Sequence, residues 1–199
     1  MRNIIYISFL ILFSCSNIEK EITNEQLNTL LVESNTKYFE TKDKKHLLNV
    51  YEQLKLNEDF REEGLSGKNS LSIISLLLNL EKYNELENLL VENKSINNFN
   101  RLNILNTVRF LKNKDKNRLK ANSYIYENIK IINDSLNKSP QDSLLYADYF
   151  SMRMFLVGKK GALKEVDSMK AVNKRYSDIF YDDILKEAIE SYPDEYLPK

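Results

Sequence analysis

The sequence predicts an all-α protein of about nine antiparallel helices, packed either as stacked helical hairpins or as an irregular helical bundle. Two observations predict it. Apolar residues recur three and four positions apart through almost the whole chain, the spacing that gathers side chains on one face of a helix. Only four glycines and three prolines occur in 199 residues, and Gly64, Gly67, Gly158 and Gly161 fall where that periodicity lapses, as breaks between helices should.

Taken in order, Thr23-Asn24-Glu25-Gln26 has the form of a capping box and opens a first helix over about 24–40, with Leu27, Leu30, Leu31, Ser34 and Tyr38 along one face. Asp43 can cap a second helix, whose stripe is Leu47, Leu48, Tyr51 and Leu54, and an acid-rich polar break follows from Asn57 to Asn69. From Ser70 to Leu80 the chain is apolar nearly all round, which predicts a helix covered on several sides. A turn near Tyr83 leads to a helix bearing Leu86, Leu89, Leu90 and Val91. Two more follow, about Phe99 to Lys112 with Leu102, Leu105, Val108 and Leu111, and Arg118 to Leu136 with Ala121, Ile125, Ile129 and Ile132.

Ser139-Pro140-Gln141-Asp142 predicts the next helix start, with Ser as cap and Pro at the first helical position. That helix carries Leu145, Tyr149, Met152 and Leu156 and ends at Gly158. Gly161 begins another with Ala162, Leu163, Val166 and Met169, and a last helix runs from Ser177 to about Tyr192 with Tyr181, Ile184, Leu185 and Ala188.

The segment from Pro140 to Arg175 is a helix ending near Gly158 and Lys159, followed by a second helix entered at Ala162. It resembles a tetratricopeptide repeat, a helix-turn-helix unit of about 34 residues. A fainter echo spans Leu71 to Leu90, with Tyr83 and Leu86 at the corresponding positions. Phe150 stands near a place where the repeat has Gly or Ala, and no Pro closes the repeat after Arg175. The resemblance implies stacked helical hairpins and, by analogy, a protein-binding scaffold.

The start of the chain has a different character. Arg2 precedes an apolar run from Ile4 to Phe13 that only Ser8 interrupts. Ten helical residues reach roughly 15 Å against the ~30 Å hydrocarbon core of a bilayer, so the run reads as a secretory signal and not as a membrane span. Leu12-Phe13-Ser14-Cys15 resembles the lipobox of bacterial lipoproteins, with Phe13 bulkier than usual at its position. The resemblance implies cleavage after residue 14 and diacylation of Cys15, the only cysteine present. The expected organisation is a signal peptide over 1–14, a lipidated Cys and tether over 15–22 and an all-helical domain over 23–199. Ser16 in place of Asp leans, by the same resemblance, toward the outer membrane of the cell envelope.

Basic and acidic residues balance at 29 each, and loss of Arg2 with the signal would leave 28 against 29. With no global field to favour polyanions, nucleic-acid binding is not expected. Chemistry is thinly provided for. His46 is the only histidine, beside Lys44 and Lys45 at a helix start, where a solvated role is expected. Zinc sites and Cys-His or Ser-His nucleophiles need residues the chain almost lacks. Gly67-Lys68 does not complete a phosphate loop, because Glu62 and Asn69 stand where Gly and Ser or Thr belong. Carboxylate groupings at Glu62 with Glu63 and at Asp182, Asp183 and Glu187 would be the only basis for a hydrolase. No cofactor, metal or catalytic residue is assigned.

Two surfaces remain as binding candidates. Lys112, Lys114, Lys116, Arg118 and Lys120 form a basic turn that reads as solvated or as a contact for an anionic partner such as a lipid headgroup. The chain after residue 120 holds eight tyrosines together with Phe150, Phe155 and Phe180, and these read as core or as a partner groove. Tyr146, Tyr149, Phe150 and Tyr181 are the candidate partner contacts. The expected role is a membrane-anchored interaction module for another envelope protein, with a glycan- or peptide-binding protein serving uptake as the alternative.

Overall fold

The structure is a computed structural model, and it describes residues 22–66, 69–93, 95–173, 175–192, 194 and 197. The expectations for segment 1–14, Cys15, the tether to residue 21 and Gly67-Lys68 lie outside the described residues. Among those described there are nine α-helices and no strand: α1 (Asn24–Thr41), α2 (Lys45–Leu56), α3 (Glu58–Glu63), α4 (Ser70–Asn79), α5 (Tyr83–Glu92), α6 (Asn98–Asn113), α7 (Arg118–Lys138), α8 (Ser143–Val172) and α9 (Glu187–Ser191). A 3-10 turn, Gly64–Ser66, precedes α4, and a π-helical stretch, Phe180–Lys186, runs into α9. No described helix is long and apolar enough to cross a membrane.

Each helix packs mainly on its neighbours in sequence. α1 pairs with α2, α4 lies across both, and α5, α6, α7 and α8 follow one upon the next. Two apolar clusters result. The first holds Leu27, Leu31, Leu54, Leu76, Leu77, Leu86 and Leu90, and the second holds Phe110, Ile125, Phe155, Val166, Tyr181 and Leu185. α6 supplies Val108 to the first and Phe110 to the second, while Leu78 and Tyr83 touch both. α4 buries Ile73, Ile74, Leu76 and Leu77, as its uniform apolarity requires, and leaves only Leu71 strongly exposed.

The capping box of α1 forms as its sequence requires, Thr23 and Gln26 each accepting the other's backbone N–H. At α8 the start shifts. The cap is Asp142, whose Oδ1 accepts from the N–H groups of Leu144 and Leu145 at 2.9 and 3.2 Å. Ser139 instead closes α7, its N–H donating to the Ser135 carbonyl. A carboxylate satisfying two orphan donors and facing the positive helix end outcompetes a Ser hydroxyl three residues earlier.

The buried stripes depart from expectation at specific places. In α2 the interior set is Leu47, Val50, Tyr51 and Leu54, and Leu48 is exposed, because steps of three, one and three hold one face and a side chain at 48 lies about 100° off Leu47. Val91 and Ile184 are likewise exposed. α8 buries Phe150, Met154 and Phe155, with Met152 and Leu156 half-buried, since it packs on α7 on one side and on the C-terminal elements on the other. The break expected at Gly158 is present: its φ of 70° and ψ of 172° belong to a region that L-residues scarcely enter. The two halves of α8 are tied by Arg153, whose Nε and NH2 meet the carboxylate of Glu165 at 2.8 and 2.5 Å. The polar break after Asn57 contains a helix of its own, α3, capped by Asn57 at 2.8 Å.

This serial packing sorts the turns onto two edges. On one edge lie the turns at 42–44, 80–82 and 114–117, which meet around a common cleft. The Gly158 break joins them through the Arg118 guanidinium, which donates to the Phe155 carbonyl at 2.9 Å. On the other edge Asn57 donates to the Ile22 carbonyl and Asn69 to that of Asn24, and Arg175 donates to the Pro140 carbonyl.

Candidate functional site

Three inter-helix turns, those at 42–44, 80–82 and 114–117, enclose a cleft of about 270 Å³, lined by Tyr38, Lys44, Asn79, Glu81, Tyr83 and Asp115 among others. The chain enters it under strain. Glu81 has φ 58° although only glycine adopts the left-handed region without penalty. The local hydrogen bonds explain the requirement: Lys82 N–H donates to Leu77 O at 2.8 Å and Glu81 N–H to Leu78 O at 3.0 Å, a Schellman closure of α4. The Glu81 carboxylate then reaches Lys44 Nζ at 2.5 Å and links the first two turns. Burial, reinforced by the carboxylates of Glu81 and Asp115, pushes the Tyr83 hydroxyl up to about 12, so it remains a hydrogen-bond donor at any physiological pH. Next to the cleft, the Tyr51 hydroxyl donates to Glu85 at 2.6 Å while Lys55 and Lys82 lie over its ring.

The second candidate is the aromatic C-terminal region. Tyr146 and Tyr149 are half-buried. Phe150 and Tyr181 are 2% and 1% exposed, so as placed they fill the core and offer no contact area to a partner. The reason is packing. The widened π-helical turn lets adjacent Phe180 and Tyr181 both face inward, and Tyr181 donates to the Asn173 carbonyl at 2.9 Å. Rings at 176, 180, 181 and 146 form one aromatic cluster, edge-to-face except for the tilted Tyr176–Phe180 pair, with Tyr176 and Tyr146 centroids 5.5 Å apart. The Tyr176 hydroxyl is buried without a partner among the described residues. Around this cluster, Leu144, Val172 and Ile179 are 75%, 84% and 63% exposed. The Pro140–Arg175 contact joins the turn before Leu144 to the turn between Val172 and Ile179.

Several charged groups elsewhere are paired within the fold. Asp182, one of the carboxylates a hydrolase would need, is held by Lys170 at 2.5 Å and Lys186 at 2.9 Å, and these hydrogen bonds lower its pKa. No group of three or more His, Cys, Asp or Glu side chains suited to a metal occurs among the described residues. His46 is half-buried in the first turn of α2.

Polar interior residues escaped the sequence reading. Asn128 is fully buried, and it receives the Asn106 amide at 2.9 Å and donates to the Asn103 carbonyl at 2.9 Å. Asparagine carries no periodic signal of its own. Its place one turn before Ile132 on the buried stripe of α7 was the available clue. Fold and sites together define an all-helical protein whose helices pack as serial neighbours. Comparison of the chain with protein-family models, curated proteins and solved structures gives no match.

Proposed function

We propose that this chain is a lipid-anchored helical module that binds another protein of the bacterial cell envelope. The observation that supports the interaction role is the exposed apolar rim of Leu144, Val172 and Ile179 around the Tyr146–Tyr176 pair. Large side chains this exposed, gathered where two turns meet, supply contact area next to rigid aromatics. The orphaned Tyr176 hydroxyl adds a polar group that a partner or a water can satisfy. The anchor rests on the lipobox-like residues ending at Cys15.

The test has two arms. A fatty-acid analogue should label the wild type and not Cys15→Ala, and equal labelling of both would defeat the anchor. A photo-crosslinking residue at position 144 or 172 should capture one defined protein in native membranes, whereas the same residue at exposed Lys130 should not. Indiscriminate capture from all three positions would defeat the interaction surface.

A second reading, a glycan- or peptide-binding lipoprotein, draws on the strained Glu81 and the Tyr83 hydroxyl in the polar cleft. Outliers of this kind concentrate at ligand sites. Chemical-shift changes confined to residues 38, 79, 81 and 83 on adding short oligosaccharides or peptides would favour it.

A further inference from the structure

The formal charge is zero, yet it is unevenly spread. Residues 112–120 hold five basic side chains and one acid, Asp115. Folding lays the turns that carry Lys42, Lys44, Lys45 and Lys82 beside this segment, and the Gly158 break adds Lys159 and Lys160. Some of these cations are spent within the fold, Lys44 on Glu81, Lys112 on Glu87 and Lys159 on Asp194. Lys42, Lys45, Lys116, Lys120 and Lys160 are exposed and make no ion pair with a described residue. Exposed acids on this edge are fewer, namely Glu40, Asp43, Glu81 and Asp115 and, beside Lys159, Glu190 and Asp194. The opposite edge is mixed, with exposed Glu58, Glu62, Glu92 and Asp134 beside exposed Lys55, Arg61, Lys138 and Arg175.

Apolar side chains stand among the lysines. Phe39, Leu48, Leu119 and Val157 are 53%, 45%, 86% and 40% exposed, and all four lie within one helical turn of this edge. Each has a lysine close by in the chain: Lys42 near Phe39, Lys45 near Leu48, Lys116 and Lys120 near Leu119, and Lys160 near Val157. Lys42 Nζ sits 5.3 Å over the Phe39 ring. A protein partner needs a joined apolar patch with charge pushed to its rim. Here single apolar side chains alternate with cations, which suits a headgroup layer: the apolar tips enter it while the lysine stems lie along it and the ammonium groups meet phosphates.

We propose that the edge formed by the turns at 42–44, 80–82 and 114–117 and the Gly158 break docks the domain onto an anionic lipid bilayer. The docking is separate from the proposed partner surface and requires no acyl chain. It is also compatible with an anchor at Cys15, because eight tether residues reach roughly 28 Å and the 18-residue α1 measures about 27 Å.

The test uses the full chain carrying Cys15→Ser, sedimented with vesicles of phosphatidylcholine alone or mixed in equal parts with phosphatidylglycerol. Every variant keeps the same N-terminal apolar run, so differences report the edge. The parent should bind the anionic vesicles roughly tenfold more tightly, with the preference falling as salt rises. Lys116→Glu/Lys120→Glu should abolish that preference, whereas Lys130→Glu/Lys138→Glu, the same net change on other exposed positions, should keep it. Leu119→Ser should weaken binding several-fold at unchanged charge. All these side chains are exposed, and thermal melting verifies that each variant is folded. Equal affinity for both vesicles, or equal loss in the two lysine pairs, would overturn the proposal. Neither result touches the labelling and crosslinking tests of the module itself.

Discussion

Asn106 on α6 and Asn128 on α7 are joined through their side-chain amides at 2.9 Å inside the stack. Asn128 Nδ2 also reaches the Asn103 carbonyl, the Thr107 hydroxyl at 3.4 Å and Met152 Sδ at 3.3 Å. The contact therefore fixes the register of α6 against α7 and extends to α8. Replacing Asn128 by Leu leaves the Asn106 donor without its partner in the interior, while the Asn103 carbonyl keeps the Thr107 hydroxyl at 2.8 Å, at a cost of about 2 kcal/mol. A fall in Tm of roughly 4–10 °C is expected. Asn106→Leu/Asn128→Leu should lose less than the sum of the two single variants, because no donor is then stranded. Strict additivity in thermal melts would contradict this coupling.

Two positions with left-handed φ make opposite predictions. Gly158, at φ 70° and ψ 172°, has nothing within 4 Å of an added Cβ, so Gly158→Ala isolates backbone strain and should destabilise by about 1–3 kcal/mol. Glu81 carries the strain already, and Glu81→Gly should stabilise by about 0.5–1 kcal/mol, reduced by the loss of the exposed Lys44 pair. Denaturant midpoints at constant m-value read both changes. A destabilised Glu81→Gly would mean that the ion pair outweighs the strain.

How much was legible in the sequence follows from which forces act locally. α4 could be read outright, since a run apolar on all sides has only one use in a helical stack. The Gly158 break was equally clear, because the backbone there needs a residue without Cβ. The candidate contacts were harder. Tyr146 and Tyr181 look alike in sequence, and only the π-helical turn, a product of tertiary packing, sends Tyr181 inward while Tyr146 stays half-buried. The cleft was invisible for a related reason: Lys44, Glu81 and Asp115 come from three separate turns. Leu48 misled because type alone made it core, whereas Val50 held the right angular position.

Acid should weaken the junction of α5 and α6. Glu87 accepts from Arg109 Nε at 2.8 Å and Lys112 Nζ at 3.0 Å, and the Arg109 hydrogen bond, followed by that of Lys112, lowers its pKa. A carboxyl lowered on folding stabilises the native state above its unfolded pKa of about 4.3 and loses that contribution as pH falls through the folded value. Glu87→Gln should lower stability by about 1 kcal/mol at neutral pH. The difference from wild type should shrink as pH falls from about 5 toward 3. A constant difference across that range in thermal melts would show that the pair contributes through packing alone.

Stability and partner binding should separate between the inner and outer aromatic hairpin residues. Tyr181 fills the second apolar cluster and donates to the Asn173 carbonyl, so Tyr181→Ala should cost about 3–5 kcal/mol and Tyr181→Phe about 1 kcal/mol. Any binding lost in Tyr181→Ala would therefore reflect unfolding. Leu144 and Val172, which stand 75% and 84% in solvent, should tolerate Asp with a change within about 0.5 kcal/mol. If the rim is the contact surface, a charge placed at its centre should lower affinity for the captured partner by about 2 kcal/mol, roughly thirtyfold. Tyr146→Ala should lie between these extremes, with a modest stability loss and a clear binding loss, since its ring braces Tyr176 at 5.5 Å. Melting and pull-down measured on the same preparations decide the matter. Folded Leu144→Asp and Val172→Asp variants that bind normally, alongside weakened binding in Lys116→Glu, would move the partner surface from the aromatic rim to the basic edge.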